Sequence, residues 1–326
     1  MKEYAIAIDI GGSHVEYGIV HEDQLIAAET IQVHETTLLK LLPQLTAGIR
    51  ALIAKCQLDL TTVSGVAVGI CAIADGQSKV LATSGKYNDS VGFDFALWAQ
   101  KEFGLNCRVE NDARMALLGE HFCGAATGAD DAVLVTLGTG IGGAVLLGGK
   151  LLQSRGHKAG GLAGHLGVAL NGRTCGCGNR GCAEAEASTA SLDFICREHI
   201  HFAESLLAKS TTAINFHALF AAVDVRDPVA CAVLDHCVAV WSALTVSLIH
   251  AYDPQVIVFA GGVMHRHEDI LVRIQAHVDR YAWAEKGSIQ IVLTRLGSSA
   301  ALLGALPLLR TPSPLVELSP MQNACA

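Results

Sequence analysis

Two stretches of this chain share one design, and together they restrict the fold more than any other feature. Residues 4–20, YAIAIDIGGSHVEYGIV, and residues 132–147, AVLVTLGTGIGGAVLL, each run as apolar strand, glycine turn and apolar strand. Alternation on both sides of a glycine pair predicts a β-hairpin rather than a strand entering a helix. Its recurrence predicts two related lobes. Glycine allows tight curvature and close approach, so each turn can wrap backbone N–H groups around a phosphate. Gly138-Thr139-Gly140-Ile141-Gly142-Gly143 also fits G-x-G-x-x-G, but a dinucleotide fingerprint requires a helix directly afterwards, and Ala144 to Leu147 continue as strand. The Rossmann reading is therefore set aside, leaving a phosphate cradle or a bare structural turn. Asp9 ends the first apolar strand, where a carboxylate is costly without a partner such as hydrated Mg²⁺, although by itself it could cap a turn. Two such hairpins with that acid point to a nucleoside triphosphate site.

The intervening chain alternates strand and helix. Residues 35–57 and 94–103 are helix candidates, 63–70 (VSGVAVGI) a buried strand, 106–110 a strand, and 113–118 the start of another helix. The second half brings a loop-rich insert over 156–181, a long helical stretch over about 188–252, and a strand ending in glycines over 253–262. The class is α/β. With 326 residues the chain is long enough for two lobes, expected here over 1–117 and 118–310. Residues 311–326, with three prolines and no periodicity, are expected to form a loose tail.

Composition excludes several classes. Hydrophobic residues make up 51% and charged ones 17%, as in a chain that buries a large core. The net charge of −8 and the lack of a Lys/Arg run remove the footprint that nucleic-acid binding needs. Asp9 and the turn glycines interrupt what would be a signal peptide, and no segment is expected to supply the ~20 apolar residues of a membrane span. A cytoplasmic protein is expected. Of the cysteines, Cys56, Cys71, Cys107 and Cys231 are scattered singly among apolar residues and read as buried small hydrophobes. Cys175, Cys177 and Cys182 alone have ligand-like spacing.

Six motifs in order make the chain resemble the ROK family of sugar kinases and sugar-responsive repressors, within the actin, hexokinase and Hsp70 superfamily. They are DIGGSH at Asp9–His14, ENDAR at Glu110–Arg114, LGTGIGG at Leu137–Gly143, GH at Gly164-His165 followed by NGRTCGCGNRGCAEAEAS at Asn171–Ser188, DPQVIVFAGGV at Asp253–Val263, and SSAALLGA at Ser298–Ala305. The resemblance implies a two-lobed actin-like, ribonuclease H-like ATPase fold with a zinc-binding loop. It implies ATP-dependent phosphorylation of a hexose or hexose derivative, expected at the primary 6-hydroxyl, in a homodimer. It also implies ATP and Mg²⁺ contacts at Asp9, Gly11, Gly12, Ser13, Thr136, Gly138, Thr139 and Gly140, with adenosine packing at Gly261 and Gly262.

His165 with Cys175, Cys177 and Cys182 offers one imidazole and three thiolates, a closed tetrahedral set for structural Zn²⁺. Redox-active cysteines are the alternative, but the C-x-x-C form is absent. The resemblance implies zinc at these positions, holding a sugar-binding loop. Asn111-Asp112 lies between strand and helix, where both residue types serve as N-caps. The resemblance implies instead that Asp112 is the general base toward the sugar hydroxyl and that Asn111 contacts the sugar. Glu184, by itself an ordinary surface acid, and His165 are likewise implied as sugar contacts. Three positions depart from the family pattern. Leu162 stands where a sugar-contacting Glu is expected, Cys71-Ala72 replaces Pro-Gly, and Lys86 replaces an Asn in the loop TSGKYNDSVG (83–92), with Asn88 and Asp89 as displaced polar candidates. The natural substrate is therefore expected to differ at the hydroxyl that Glu would hold. The alternative is a non-catalytic sugar-binding or sugar-responsive regulatory protein. No room for a helix-turn-helix is expected ahead of a strand beginning at residue 4.

Overall fold

A computed structural model of the chain describes residues 3–83 and 85–311. Apart from Thr311, the expected tail lies outside the described residues. In chain order the first part comprises β1 (Tyr4–Ile10), β2 (His14–His21), β3 (Gln24–Gln32), α1 (Leu38–Lys55), β4 (Val63–Ile70), β5 (Ala72–Ala74), β6 (Val80–Thr83), α2 (Phe95–Phe103), β7 (Cys107–Asn111) and α3 (Asp112–Cys123). Next come β8 (Ala132–Leu137), β9 (Ile141–Leu147), β10 (Lys150–Leu151), α4 (Ala183–Ala187), α5 (Thr189–Arg197), α6 (Phe216–Asp224) and α7 (Pro228–Tyr252). The last are β11 (Val256–Ala260), α8 (His267–Tyr281), β12 (Gln290–Leu293), α9 (Ala300–Leu303) and α10 (Ala305–Arg310).

The two main sheets run β3-β2-β1-β4-β7 and β10-β9-β8-β11-β12. In each, an antiparallel hairpin leads into two parallel strands. The repetition expected from two glycine turns thus extends to the whole sheet. Strand β3 gives no sequence signal because it lies at the edge and buries a single residue, Ile31. The helical stretch expected over about 188–252 is broken into α5, α6 and α7. Asn215 caps α6 by accepting from Ala218 N at 3.0 Å, and Asp227, with Pro228 behind it, starts α7 by accepting from Ala230 N at 3.0 Å.

Three expectations need correction. Helix α7 is long and apolar enough, by length and composition, to cross a membrane. Its apolar character has a packing cause: it runs through the core of the second lobe, with Trp241 fully enclosed and donating its Nε1–H to Ala187 O at 3.0 Å. Among the four scattered cysteines only Cys107 is buried, while Cys56, Cys71 and Cys231 are half-buried. The boundary expected between residues 117 and 118 falls inside α3. That helix and the C-terminal α9–α10 share a cluster with the first sheet, in which Met115 and Leu118 pack with Ala5, Ala7, Leu302 and Leu306. A continuous helix with buried faces on both sheets cannot be divided between them.

Candidate active site

The first turn of α3 sits between the two glycine turns because parallel pairing aligns the strand ends. Asp9 on β1 is level with Gly69 on β4, and Ile70 is level with Asn111 on β7. Gly69 separates the two acids by less than a side chain: a Cβ there would lie 3.4 Å from Asp9 Oδ1 and 3.5 Å from Asp112 Cα. On the other side, a Cβ at Gly142 would lie 2.4 Å from Thr136 Oγ1 and 3.5 Å from Ala113 Cβ. Asp112 therefore stands where the bases of both hairpins meet.

Asn111 caps α3, its Oδ1 accepting from Arg114 N at 3.2 Å. Its amide donates to Asp112 Oδ1 at 2.8 Å and to Ala72 O at 3.3 Å. Asp112 Oδ1 also accepts from Ala113 N at 2.8 Å, while Oδ2 takes no hydrogen bond from a described residue. Burial pushes the Asp112 carboxyl above the ordinary carboxylate range. The donors at Ala113 and Asn111 and the backbone N–H of Asp112 itself, and then the Lys86 ammonium, oppose that shift. Asp9 Oδ1 is sealed from solvent without a hydrogen-bond partner among the described residues. Burial first, then Asp112 and Glu16, push its carboxyl up to about 8. A buried oxygen without a donor is what a bound cation would satisfy, so this site fits Mg²⁺.

The first turn is tied down by Gly11 N donating to His14 O at 3.1 Å and by the buried Tyr87 hydroxyl donating to Gly11 O at 2.8 Å. The second turn is braced from behind. Thr189 N and Ala190 N of α5 each donate at 3.0 Å, to Gly138 O and Thr139 O, and Glu184 Oε2 accepts from Ile141 N at 2.9 Å. Gly261, at φ +97°, passes so near Leu137 that a Cβ would lie 2.2 Å from its carbonyl oxygen. It thus belongs at the base of the second turn, followed by Gly262 facing open space.

His165, Cys175, Cys177 and Cys182 converge, their ligand atoms all within 4.8 Å of one another. Cys177 Sγ lies 3.7 Å from Cys182 Sγ, and Cys175 Sγ lies 3.5 Å from His165 Nδ1. Tetrahedral bonds of about 2.3 Å to sulfur and about 2.1 Å to nitrogen require edges of about 3.8 and 3.6 Å, so these donors are spaced to hold one Zn²⁺. The short turn carrying Gly164 packs against Ile141, and α4 after Cys182 carries Glu184 to the same strand.

Of the sequence-derived residues, Asp9, Asn111 and Asp112 lie together beside the glycine turns, and the hydrogen bonds of Asn111 and Asn88 are to other groups of the protein. Asn111 spends its amide hydrogens on Asp112 and Ala72. Asn88 is exposed and accepts from Thr83 Oγ1 at 2.6 Å, while Asp89 accepts from Leu38 N and Leu39 N at 2.9 Å each, completing the start of α1. Besides the Tyr87 hydroxyl, the polar group this loop sends to the first glycine turn is Lys86. Leu162 is 40% exposed at the start of the turn carrying His165. Sequence reasoning gave no role to the buried Glu110–Arg114 pair, whose Nε–Oε1 distance is 2.9 Å. Arg114 also donates to Leu152 O at 2.8 Å and thereby ties α3 to the chain after β10. The signal was the i,i+4 acid–base spacing within ENDAR.

Two mixed sheets, each opening on a glycine hairpin and joined at a carboxylate, define the actin-like ATPase fold. Residues 5–311 match the ROK family, and the chain belongs to it. It is 29% identical to a glucokinase of Thermotoga maritima over 94% of this chain and 96% of that protein. A ROK family glucokinase of Streptomyces griseus, solved with glucose and AMPPNP, superposes with a TM-score of 0.76 at 28% identity, covering 94% of this chain and 98% of the other. A xylose repressor of Bacillus subtilis is 24% identical over 73% of this chain and 59% of its own length.

Proposed function

We propose that this chain, an ATP-dependent carbohydrate kinase, transfers the γ-phosphoryl group of ATP to the primary 6-hydroxyl of a hexose or hexose derivative, with Asp112 as general base. The observation that carries the reading is the Asp112 carboxylate. One oxygen is fixed by Asn111 and Ala113, the other is left without a donor, and the group stands between two phosphate-type turns. A base that receives the hydroxyl proton as oxygen bonds to phosphorus needs one free, oriented lone pair, and burial raises its basicity. The remaining work is positioning and charge neutralisation, which suits turns braced by hydrogen bonds. Asp9 would hold Mg²⁺, which supplies charge neutralisation of the phosphates when bound. His165, Cys175, Cys177 and Cys182 would hold Zn²⁺ as a structural ion, fixing the segment that carries Glu184. With Nδ1 toward the cysteines, His165 has Nε2 left for a sugar hydroxyl, and Glu184 has Oε1. The glucokinase relatives favour a hexose acceptor.

The test is incubation with Mg²⁺–ATP and a panel of hexoses, N-acetylhexosamines and their epimers, with phosphorus NMR of the products. The expected product is a sugar phosphate whose phosphorus couples to the exocyclic methylene protons. Coupling to a ring proton would reject the 6-hydroxyl. Binding of sugars with no transfer to any of them would favour the regulatory reading.

A further inference from the structure

We infer that Lys86 is a catalytic residue whose ammonium contacts the phosphoryl group in transit at the first glycine turn. The inference rests on the phosphoryl-transfer reading of the cleft. The Lys86 side chain lies along the turn: a Cβ at Gly12 would be 2.1 Å from its Nζ, 2.8 Å from Cε and 2.9 Å from Cδ. The loop that carries it is anchored by the residues that follow. Tyr87, with a positive φ of 51°, is buried, donates its hydroxyl to Gly11 O at 2.8 Å and its N–H to Thr36 O at 3.1 Å. Asp89 fastens the same loop to the first turn of α1. Lys86 is thus held at the turn by its neighbours, with the freedom of its own four-carbon chain left to follow a ligand.

Among the described residues this half-buried ammonium makes no hydrogen bond or ion pair, although two carboxylates, Asp9 and Asp112, share the cleft. Its charge is nevertheless felt at Asp112 and Cys71. A cation without an anion, beside a turn that can cradle phosphate and with its charge felt at the base, matches the negative charge that spreads over the three equatorial oxygens during transfer. An ammonium there stabilises those oxygens without moving solvent, because the group is in place before the reaction starts. In the transfer itself the hydroxyl oxygen bonds to phosphorus, the bond from phosphorus to the ADP oxygen breaks, and the proton goes to Asp112. Lys86 keeps all its protons throughout.

The experiment titrates the full chain, in Mg²⁺, with ADP alone and with ADP plus aluminium fluoride, which mimics the phosphoryl group in flight and needs no knowledge of the sugar. The wild-type protein should bind the fluoride complex at least about tenfold more tightly than ADP. Lys86→Met should lose that gain, to within about threefold, while ADP alone binds as before, and Lys86→Arg should retain most of it. In turnover with any accepted sugar, Lys86→Met should lower kcat about 100-fold with sugar KM little changed. A Met variant that keeps the fluoride gain would overturn the inference, as would a loss confined to the KM of an anionic sugar, which would assign the cation to the acceptor. Wild-type protein that binds ADP but gains nothing from fluoride would overturn the phosphate-cradle reading and this inference with it.

Discussion

The two glycine turns occupy equivalent places in two equivalent sheets, yet their surroundings differ in kind. Around the first are ionisable groups: Asp9 at the end of its strand, Lys86 lying along it, and Asp112 one glycine away. Around the second the contacts are chiefly backbone donors from α5, with Glu184 engaged by a backbone N–H. In the proposed mechanism the same topology would supply a charged half that acts on the phosphoryl group and a braced half that grips the nucleotide and carries the sugar-binding segment. Duplication of a scaffold does not duplicate chemistry, because chemistry depends on which side chains the flanking loops deliver.

Substitutions in the two halves should therefore fail in different ways. Asp9→Asn should lower kcat by about three orders of magnitude, since it removes the carboxylate that would hold the metal. Thr139→Ala in the second turn should weaken nucleotide binding about three- to tenfold with kcat nearly unchanged. Steady-state kinetics on both variants would break the comparison if the two showed the same pattern.

A second effect concerns how the braced half holds its sugar loop. Purified protein should contain about one equivalent of Zn²⁺, and Cys177→Ser should lose both the metal and sugar binding, because the loop would no longer fix Glu184. Metal analysis paired with sugar titration checks this. Active enzyme without zinc would remove the metal from the account.

The third and smallest effect is on stability and isolates the cost of the charged half. The folded-state value of Asp9, about 8, lies above its ordinary 3.8, so the folded protein holds that proton more tightly than the unfolded chain. Stability should then fall as pH rises from about 4 toward about 8, as the buried carboxylate is forced to ionise. Without Mg²⁺, the Tm of Asp9→Asn relative to wild type should climb by a few degrees across that window. Parallel melting curves at all pH values would contradict the assigned cause.

The sequence carried the fold well because its strongest signals were local. Glycine between two alternating strands specifies a hairpin, and strand bounds such as Val63–Ile70 follow from an apolar run broken by Ser64 alone. The clustering of His165 with the three cysteines was legible for the same reason, as Cys175, Cys177 and Cys182 lie within one short stretch. What escaped depended on contacts between distant segments. Nothing near Asp89 shows that it caps a helix about fifty residues earlier. Nothing in TSGKYNDSVG shows that Lys86, rather than Asn88, reaches the first glycine turn. The apolar length of α7 was missed because Asp235, His236, Ser242, Thr245 and Ser247 punctuate its apolar residues.

The central claim is that the free oxygen of Asp112 takes the proton of the attacking hydroxyl, and the most direct measurement is turnover of Asp112→Asn beside wild type. The amide can still accept from Ala113 at the same place, and Asn111 remains to cap α3, so folding, zinc content and ADP affinity should be preserved. Turnover should fall by roughly two to four orders of magnitude while sugar binding persists. A folded, zinc-loaded, ADP-binding Asp112→Asn protein that turns over at nearly the wild-type rate would contradict the account.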